Sequence, residues 1–234
     1  MADSAEPAEI HVSMPVVVKF IRQLAHDLRN HLNAAELQSA YLAEIAENDE
    51  VREEIKRLRG MIGQVGVSLQ ELTAALSQTP LTTMPYSAKE LVEDLQQKVA
   101  TVCPAESADV KWEVSEMDAT LNIDPQLLLP ALAELFGNAF RHERGHGPIV
   151  ATLAVKSGRF VFTLVEPKGN FQRSTENWGR EPLQSLRQGQ YGLGLYRTRR
   201  IIEAHGGSLA ALHDPAASSL VTTITLPLAP ASST

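Results

Sequence analysis

Cysteine occurs once, at Cys103, which excludes an internal disulfide framework and any multi-cysteine metal site. Basic residues are the minority, 21 against 28 acidic, and the formal net charge is −7. A nucleic-acid binder shows the reverse, a basic stripe that meets the phosphate backbone. No apolar run approaches the ~20 residues needed to cross a bilayer. The N-terminus, MADSAEPAEI, lacks the basic and apolar regions of a signal peptide. These absences set the expectation of a cytoplasmic protein with no nucleic-acid and no membrane partner. What is present is a hydrophobic fraction of 44% over 234 residues, enough for the core of one large or two small domains. Charged residues at 21% keep most of the chain outside the composition of disordered proteins.

Residues 1–13 are small, polar and acidic and are expected to form a disordered tail. A helical pattern starts near Pro15, a residue suited to a first helical turn because its missing N–H is not needed there. Val17, Ile21, Leu24, Leu28, His31, Ala35, Gln38, Leu42 and Ile45 follow a 4-3-4-3 spacing with His31 and Gln38 as its polar members. After the polar cluster Glu47 to Glu50 a second run, Val51, Ile55, Leu58, Ile62, Val65, Leu69, Leu72 and Leu76, repeats the spacing. Two such helices joined by a short turn predict an antiparallel hairpin over 14–78. One hairpin leaves its stripe largely uncovered, so a homodimer forming a four-helix bundle is expected. Residues 79–86, with Pro80 and Pro85, read as a linker. Beyond it, over 87–230, helices alternate with strands. Helices are expected at 88–102, 125–141 and 193–204, and strands at 110–114, 119–123, 149–155, 160–165, 208–213 and 220–226. The fold class is therefore α+β, a helical hairpin followed by an α/β sandwich.

Three groups of residues carry possible chemistry. His26 falls at an f position, facing straight out of the bundle, with Asp27 beside it. A carboxylate there can orient the imidazole and take its proton while the other ring nitrogen attacks an electrophile. Taken alone, the pair also fits an ordinary solvated helix surface. His31 sits on the seam, where packing is the expected role. Glu134, Asn138 and Arg141 lie at i, i+4 and i+7 and share one polar helical face. Hard oxygen donors beside a guanidinium suit Mg²⁺ and phosphate, and the plain alternative is the wet side of an amphipathic helix. Last, Gly189-Gln190-Tyr191-Gly192-Leu193-Gly194-Leu195 precedes a helix, where glycines let backbone N–H groups approach an anion.

In this order the three groups are specific. Over about residues 14–228 the chain resembles a two-component sensor histidine kinase. FIRQLAHDLRNHL, residues 20–32, looks like the H-box. LLPALAELFGNAFRH looks like the N-box of the gyrase-type ATP-binding fold, and GQYGLGLYRTRRIIEAHGG like its second glycine box. The resemblance implies that His26 accepts the phosphoryl group and Asp27 activates it. Asn30 matches the position that directs water in members that also dephosphorylate their regulator. It implies that Asn138 ligates Mg²⁺, that Glu134 is a catalytic carboxylate, and that Arg141 touches phosphate, with His142 beside it. Gly192, Leu193, Gly194 and Leu195 would shape the ATP lid. The first glycine box, usually Asp-x-Gly-x-Gly, is here Glu166-Pro167-Lys168-Gly169-Asn170, so Glu166 would receive the adenine amino group and Gly169 is the glycine left. The implied partners are ATP, Mg²⁺ and a response-regulator receiver domain. The residues before the hairpin are too few for a sensor, so either input comes through a separate sensor protein or the chain is a fragment of a longer kinase. Gly60, Gly63 and Gly66, on the outer side of the second helix, suggest a flat strip for a regulator helix. The altered glycine box motivates a second reading, a histidine phosphotransfer protein with a nucleotide site that no longer works. A third reading is a binding module.

Overall fold

The computed structural model describes residues 13–76, 80–115, 117–142, 144–169, 171–172, 174–182 and 192–230. The chain divides into two compact units, 1–78 and 79–234. The expected tail at 1–12 lies outside the described residues, as do Gly189 and Gln190.

The first unit is two helices, α1 (Met14–Ile45) and α2 (Asp49–Leu76). Pro15 stands in the first turn of α1. The helices reverse at 46–48, where Asn48 accepts from the Glu50 N–H through its side chain at 2.8 Å. Arg59 fixes the antiparallel register by donating twice to one Glu36 oxygen, from Nε at 3.0 Å and from Nη2 at 2.7 Å. Burial departs from the predicted seam in an informative way. The two buried residues of α1 are Ala25 and Ser39, which with the half-buried Val18 and Leu32 follow a heptad one step beyond the seam, while Val17 and Ile21 of the seam itself are half-buried as well. In α2 the inward column is Ile55, Ile62, Leu69 and Leu76. Leu24, Leu28, Leu42 and Ile45 of α1 and Val51, Leu58 and Val65 of α2 stay exposed. His31 is exposed within the hairpin as well. Two helices cover only the strip where they touch, and a stripe spanning a and d faces beyond that strip.

The second unit has a five-stranded sheet. Its elements are β1 (Met84–Ser87), α3 (Ala88–Val102), β2 (Val110–Val114), β3 (Thr120–Ile123), α4 (Pro125–Arg141), β4 (Ile149–Lys156), β5 (Arg159–Pro167), α5 (Gly194–Ala204), β6 (Ser208–Asp214) and β7 (Ser219–Pro227). The strand order is β2-β4-β5-β7-β6, with β2 parallel to β4 and the remaining pairs antiparallel. Alternation in β5 sends Phe160, Phe162 and Leu164 inward, where they meet Leu132 and Phe136 of α4 and Leu91 and Leu95 of α3 in one core. β4 and β5 turn through Ser157 (φ 50°) and Gly158 (φ 70°), left-handed conformations suited to a tight hairpin. Gly206 (φ 71°) ends α5.

One expectation is corrected. The two prolines of 79–86 predict a linker, yet Met84–Ser87 is a strand paired antiparallel with β3. Pro85 hides the strand at the level of sequence, since Pro is tolerated on edge strands but gives no strand signal. Its pairing partner lies more than thirty residues away, from Met84 to Ile123.

Candidate functional site

In the first unit, helical geometry places His26 and Asp27 outward while the neighbouring Ala25 packs against α2. The side chains of His26 and Asp27 are 66% and 54% exposed. His26 Nδ1 lies 3.2 Å from Asp27 Oδ1, and Gln23 Nε2 donates to the same oxygen at 2.9 Å. A proton on Nδ1 held by the carboxylate leaves Nε2 with a free lone pair facing solvent. Asn30 is exposed one turn further along.

In the second unit, α4 brings its polar triad together. Arg141 Nη2 reaches Glu134 Oε1 at 3.1 Å and Asn138 Oδ1 at 3.3 Å. The start of α5 lies against this face. A Cβ at Gly194 would overlap the Glu134 carboxylate as it is placed, so any larger residue there requires that side chain to move. Gly192 has φ 61°. Leu193 is buried at the N-cap, and its own side chain makes no capping hydrogen bond. Thr198 Oγ1 donates to the Ala131 carbonyl at 3.1 Å and holds α5 on α4. Gly179 (φ 71°) packs on Leu195, and Arg199 donates through Nε to the Trp178 carbonyl at 2.7 Å, pinning the 175–180 turn beside the helix start.

The segment that aligns with the first glycine box has a different local structure from the rest of the site. Glu166 continues the inward register of β5 and is 6% exposed, and Lys168, two residues on, is 4% exposed. Lys168 Nζ lies 3.2 Å from Glu166 Oε2 and donates to the carbonyl of His142, the C-cap of α4. The Lys168 N–H donates to Ser218 O at 2.7 Å. Burial pushes the Glu166 carboxyl above the usual carboxylate range, and the Lys168 charge and hydrogen bond oppose that shift. Gly169 is exposed, and a Cβ there would meet open space. In the motif Lys168 registers only as a missing glycine. It lies one residue beyond the end of β5, and its parity with Glu166, two residues back, is the signal that both side chains face the same way.

Two further residues, Asp124 and His205, make a long-range contact that the sequence reading did not assign. His205, buried at the end of α5, accepts from the Asp124 N–H through Nε2 at 2.9 Å and bonds Ile201 O through Nδ1 at 2.7 Å. Asp124 caps α4 by accepting from the Leu127 N–H at 3.2 Å. The pair locks the start of α4 to the end of α5.

Residues 123–230 match the family described as Histidine kinase-, DNA gyrase B-, and HSP90-like ATPase. The adaptive-response sensory kinase SasA of Synechocystis sp. is 23% identical over 208 residues, covering 82% of this chain and 54% of that protein. SasA of Nostoc sp. is 26% identical over 215 residues, covering 82% of this chain and 52% of that protein. The chain thus spans about half the length of the curated relatives it matches. Among solved structures, full-length ShkA in complex with AMPPNP superposes with a TM-score of 0.68 at 20% identity, covering 91% of this chain and 46% of that one. Histidine kinase AdeS of Acinetobacter baumannii gives 0.53 at 16% identity, covering 87% and 98% of the two chains. Residues 123–230 thus belong to the histidine kinase-, DNA gyrase B-, and HSP90-like ATPase family, and over most of its length the chain is similar to sensory histidine kinases in sequence and in fold.

Proposed function

We propose that this protein phosphorylates its own His26 from ATP and passes the phosphoryl group to an aspartate of a response-regulator receiver domain. The observation that carries the reading is the exposed His26–Asp27 pair, with Nδ1 3.2 Å from the carboxylate. His26 Nε2 attacks the γ-phosphorus, the N–P bond forms, and the bond from phosphorus to the bridging oxygen breaks as ADP leaves. Asp27 takes up the Nδ1 proton. Glu134, Asn138 and Arg141 fit the phosphate end of the nucleotide, and the start of α5 favours an anion. Among the described residues no group of three or more His, Cys, Asp or Glu is placed to hold a metal ion. Asn138 is the residue that would hold Mg²⁺, which when bound would supply charge neutralisation at the transferred phosphoryl group. Asn30 supports the reverse activity, water-driven removal of the phosphoryl group from the regulator. The exposed column of Leu24, Leu28, Leu42, Ile45, Val51, Leu58 and Val65 supports a homodimer closing a four-helix bundle. Among the described residues no helix is long and apolar enough to cross a membrane, which is compatible with a cytoplasmic location.

A second reading, a phosphotransfer protein without ATP chemistry, is favoured by one observation, the Lys168 ammonium seated on Glu166. Incubation with γ-labelled ATP and Mg²⁺ separates them. The kinase reading expects acid-labile, base-stable label on the wild type, loss of it in His26→Gln, retention in His31→Gln, and a strong reduction in Asn138→Ala. Absence of label on the wild type, with label accepted by His26 from a phosphorylated receiver, would establish the second reading instead.

A further inference from the structure

We infer that Lys168 makes nucleotide binding by the second unit indifferent to the base, so that its ligands are nucleoside triphosphates recognised through their phosphates. The inference rests on the proposed nucleotide site and concerns what its base end selects. A carboxylate selects adenine by accepting from the exocyclic amino group, and it does so strongly only when that hydrogen bond fills an unmet need. In Glu166 that need is already met on one of the two carboxylate oxygens. Its Oε2 lies 3.2 Å from the Lys168 ammonium, and the side chains of Glu166 and Lys168 are 9% and 4% exposed.

Lys168 is itself held from several directions. Its ammonium donates to the His142 carbonyl, its N–H to Ser218 O at 2.7 Å, and its carbonyl lies 3.3 Å from His213 Nε2. Among the described residues no buried side-chain nitrogen or oxygen lacks a partner. The ammonium thus stands where a purine amino group would donate, carried by the chain instead of the ligand. A base entering beside this pair meets a carboxylate whose charge is already compensated, and one lacking an amino group leaves that ion pair in place. The phosphate end is built from other elements. Glu134, Asn138 and Arg141 come from α4 and Gly194 from α5, and they retain their fit to phosphate.

Equilibrium binding of ATP, GTP and UTP to the whole chain, with Mg²⁺, tests this without any variant. The expected result is three dissociation constants within about threefold of one another, because no hydrogen bond to the base distinguishes them. Inorganic triphosphate should displace all three alike. Lys168→Met frees Glu166 and should create a preference for ATP of about tenfold or more, the worth of one such bond. Lys168→Arg, which keeps a donor on Glu166, should leave the constants level. A wild type that already prefers ATP by tenfold overturns the inference and leaves the kinase reading standing. A wild type that binds none of the three overturns both and points to the phosphotransfer reading. If Lys168→Met does not fold, the wild-type series still decides.

Discussion

Glu166 and Lys168 show how strongly burial governs single residues in this protein. The folded carboxyl of Glu166 titrates above its ordinary value, chiefly because it is buried. A group raised in this way favours the folded state below the ordinary carboxylate range and withdraws that support as pH rises through the shifted value. Lys168 offsets the withdrawal with its own charge. Lys168→Met keeps the side chain's bulk and removes the charge, leaving a buried carboxylate unpaired at neutral pH. The expected loss is about 3–5 kcal/mol there, shrinking as pH falls and Glu166 takes up a proton. Urea unfolding at neutral and mildly acidic pH measures it, and an equal loss at both would assign the effect to packing. Tyr86 is a milder case. Its hydroxyl donates to Asp94, which with burial pushes its pKa up to about 12. The raised value means stability present below the usual phenol range and lost as pH climbs from about 10 toward 12. Tyr86→Phe should flatten the stability profile across that alkaline window, and an unchanged profile would show that other groups set it.

The helices of the hairpin divide their apolar residues between two jobs. Ile55, Ile62, Leu69 and Leu76 hold α2 on α1, while Leu58 (44% exposed) and Val65 (49%) face away. Charge placed in the two columns should therefore act differently. Leu58→Glu should dissociate the dimer and leave the monomer helical, because a charge buried between protomers costs several kcal/mol while one in water costs little. Leu69→Glu should lose helicity itself. Sedimentation together with circular dichroism distinguishes the outcomes, and a wild-type monomer at micromolar concentration would remove the dimer from the account. Gly60, Gly63 and Gly66 lie in the interior of α2, and a Cβ at each meets nothing within 4 Å. Gly63→Ala should stabilise the hairpin by about 0.5–1 kcal/mol, since helical glycine loses backbone freedom with no packing in return. Gly63→Arg keeps most of that gain. If the strip receives a regulator helix, this variant should slow transfer to the regulator and leave labelling of His26 by ATP unchanged. Unaltered transfer would make the glycines tolerated defects of the helix.

At the scale of the whole molecule the chain is two units with different sources of stability. The second owns a core of Phe136, Phe160, Phe162 and the leucines around them, together with locks such as His205 on the Asp124 N–H. The first is two helices whose remaining apolar face needs a second copy. Residues 79–234 alone should unfold cooperatively at a temperature independent of protein concentration. The hairpin transition of the whole chain should move upward with concentration, as stability coupled to association does. Two transitions that both ignore concentration would contradict the division.

Periodicity along the chain makes much of this architecture legible. Heptads spell out the hairpin and its reversal near Asn48, alternation spells out β4, β5 and β7, and the i, i+4, i+7 spacing brings Glu134, Asn138 and Arg141 onto one face. These patterns are local, a few residues repeating along one element, and the backbone geometry of that element converts them directly into position. The rest depends on segments far apart in the chain. β1 exists because β3 pairs with it, Gly194 matters because Glu134 lies against it, and Lys168 closes the base end because His142, at the end of another element, offers a carbonyl there. In each case the deciding partner is a group that only tertiary folding brings within hydrogen-bond or van der Waals reach, so no pattern within the segment itself could announce it.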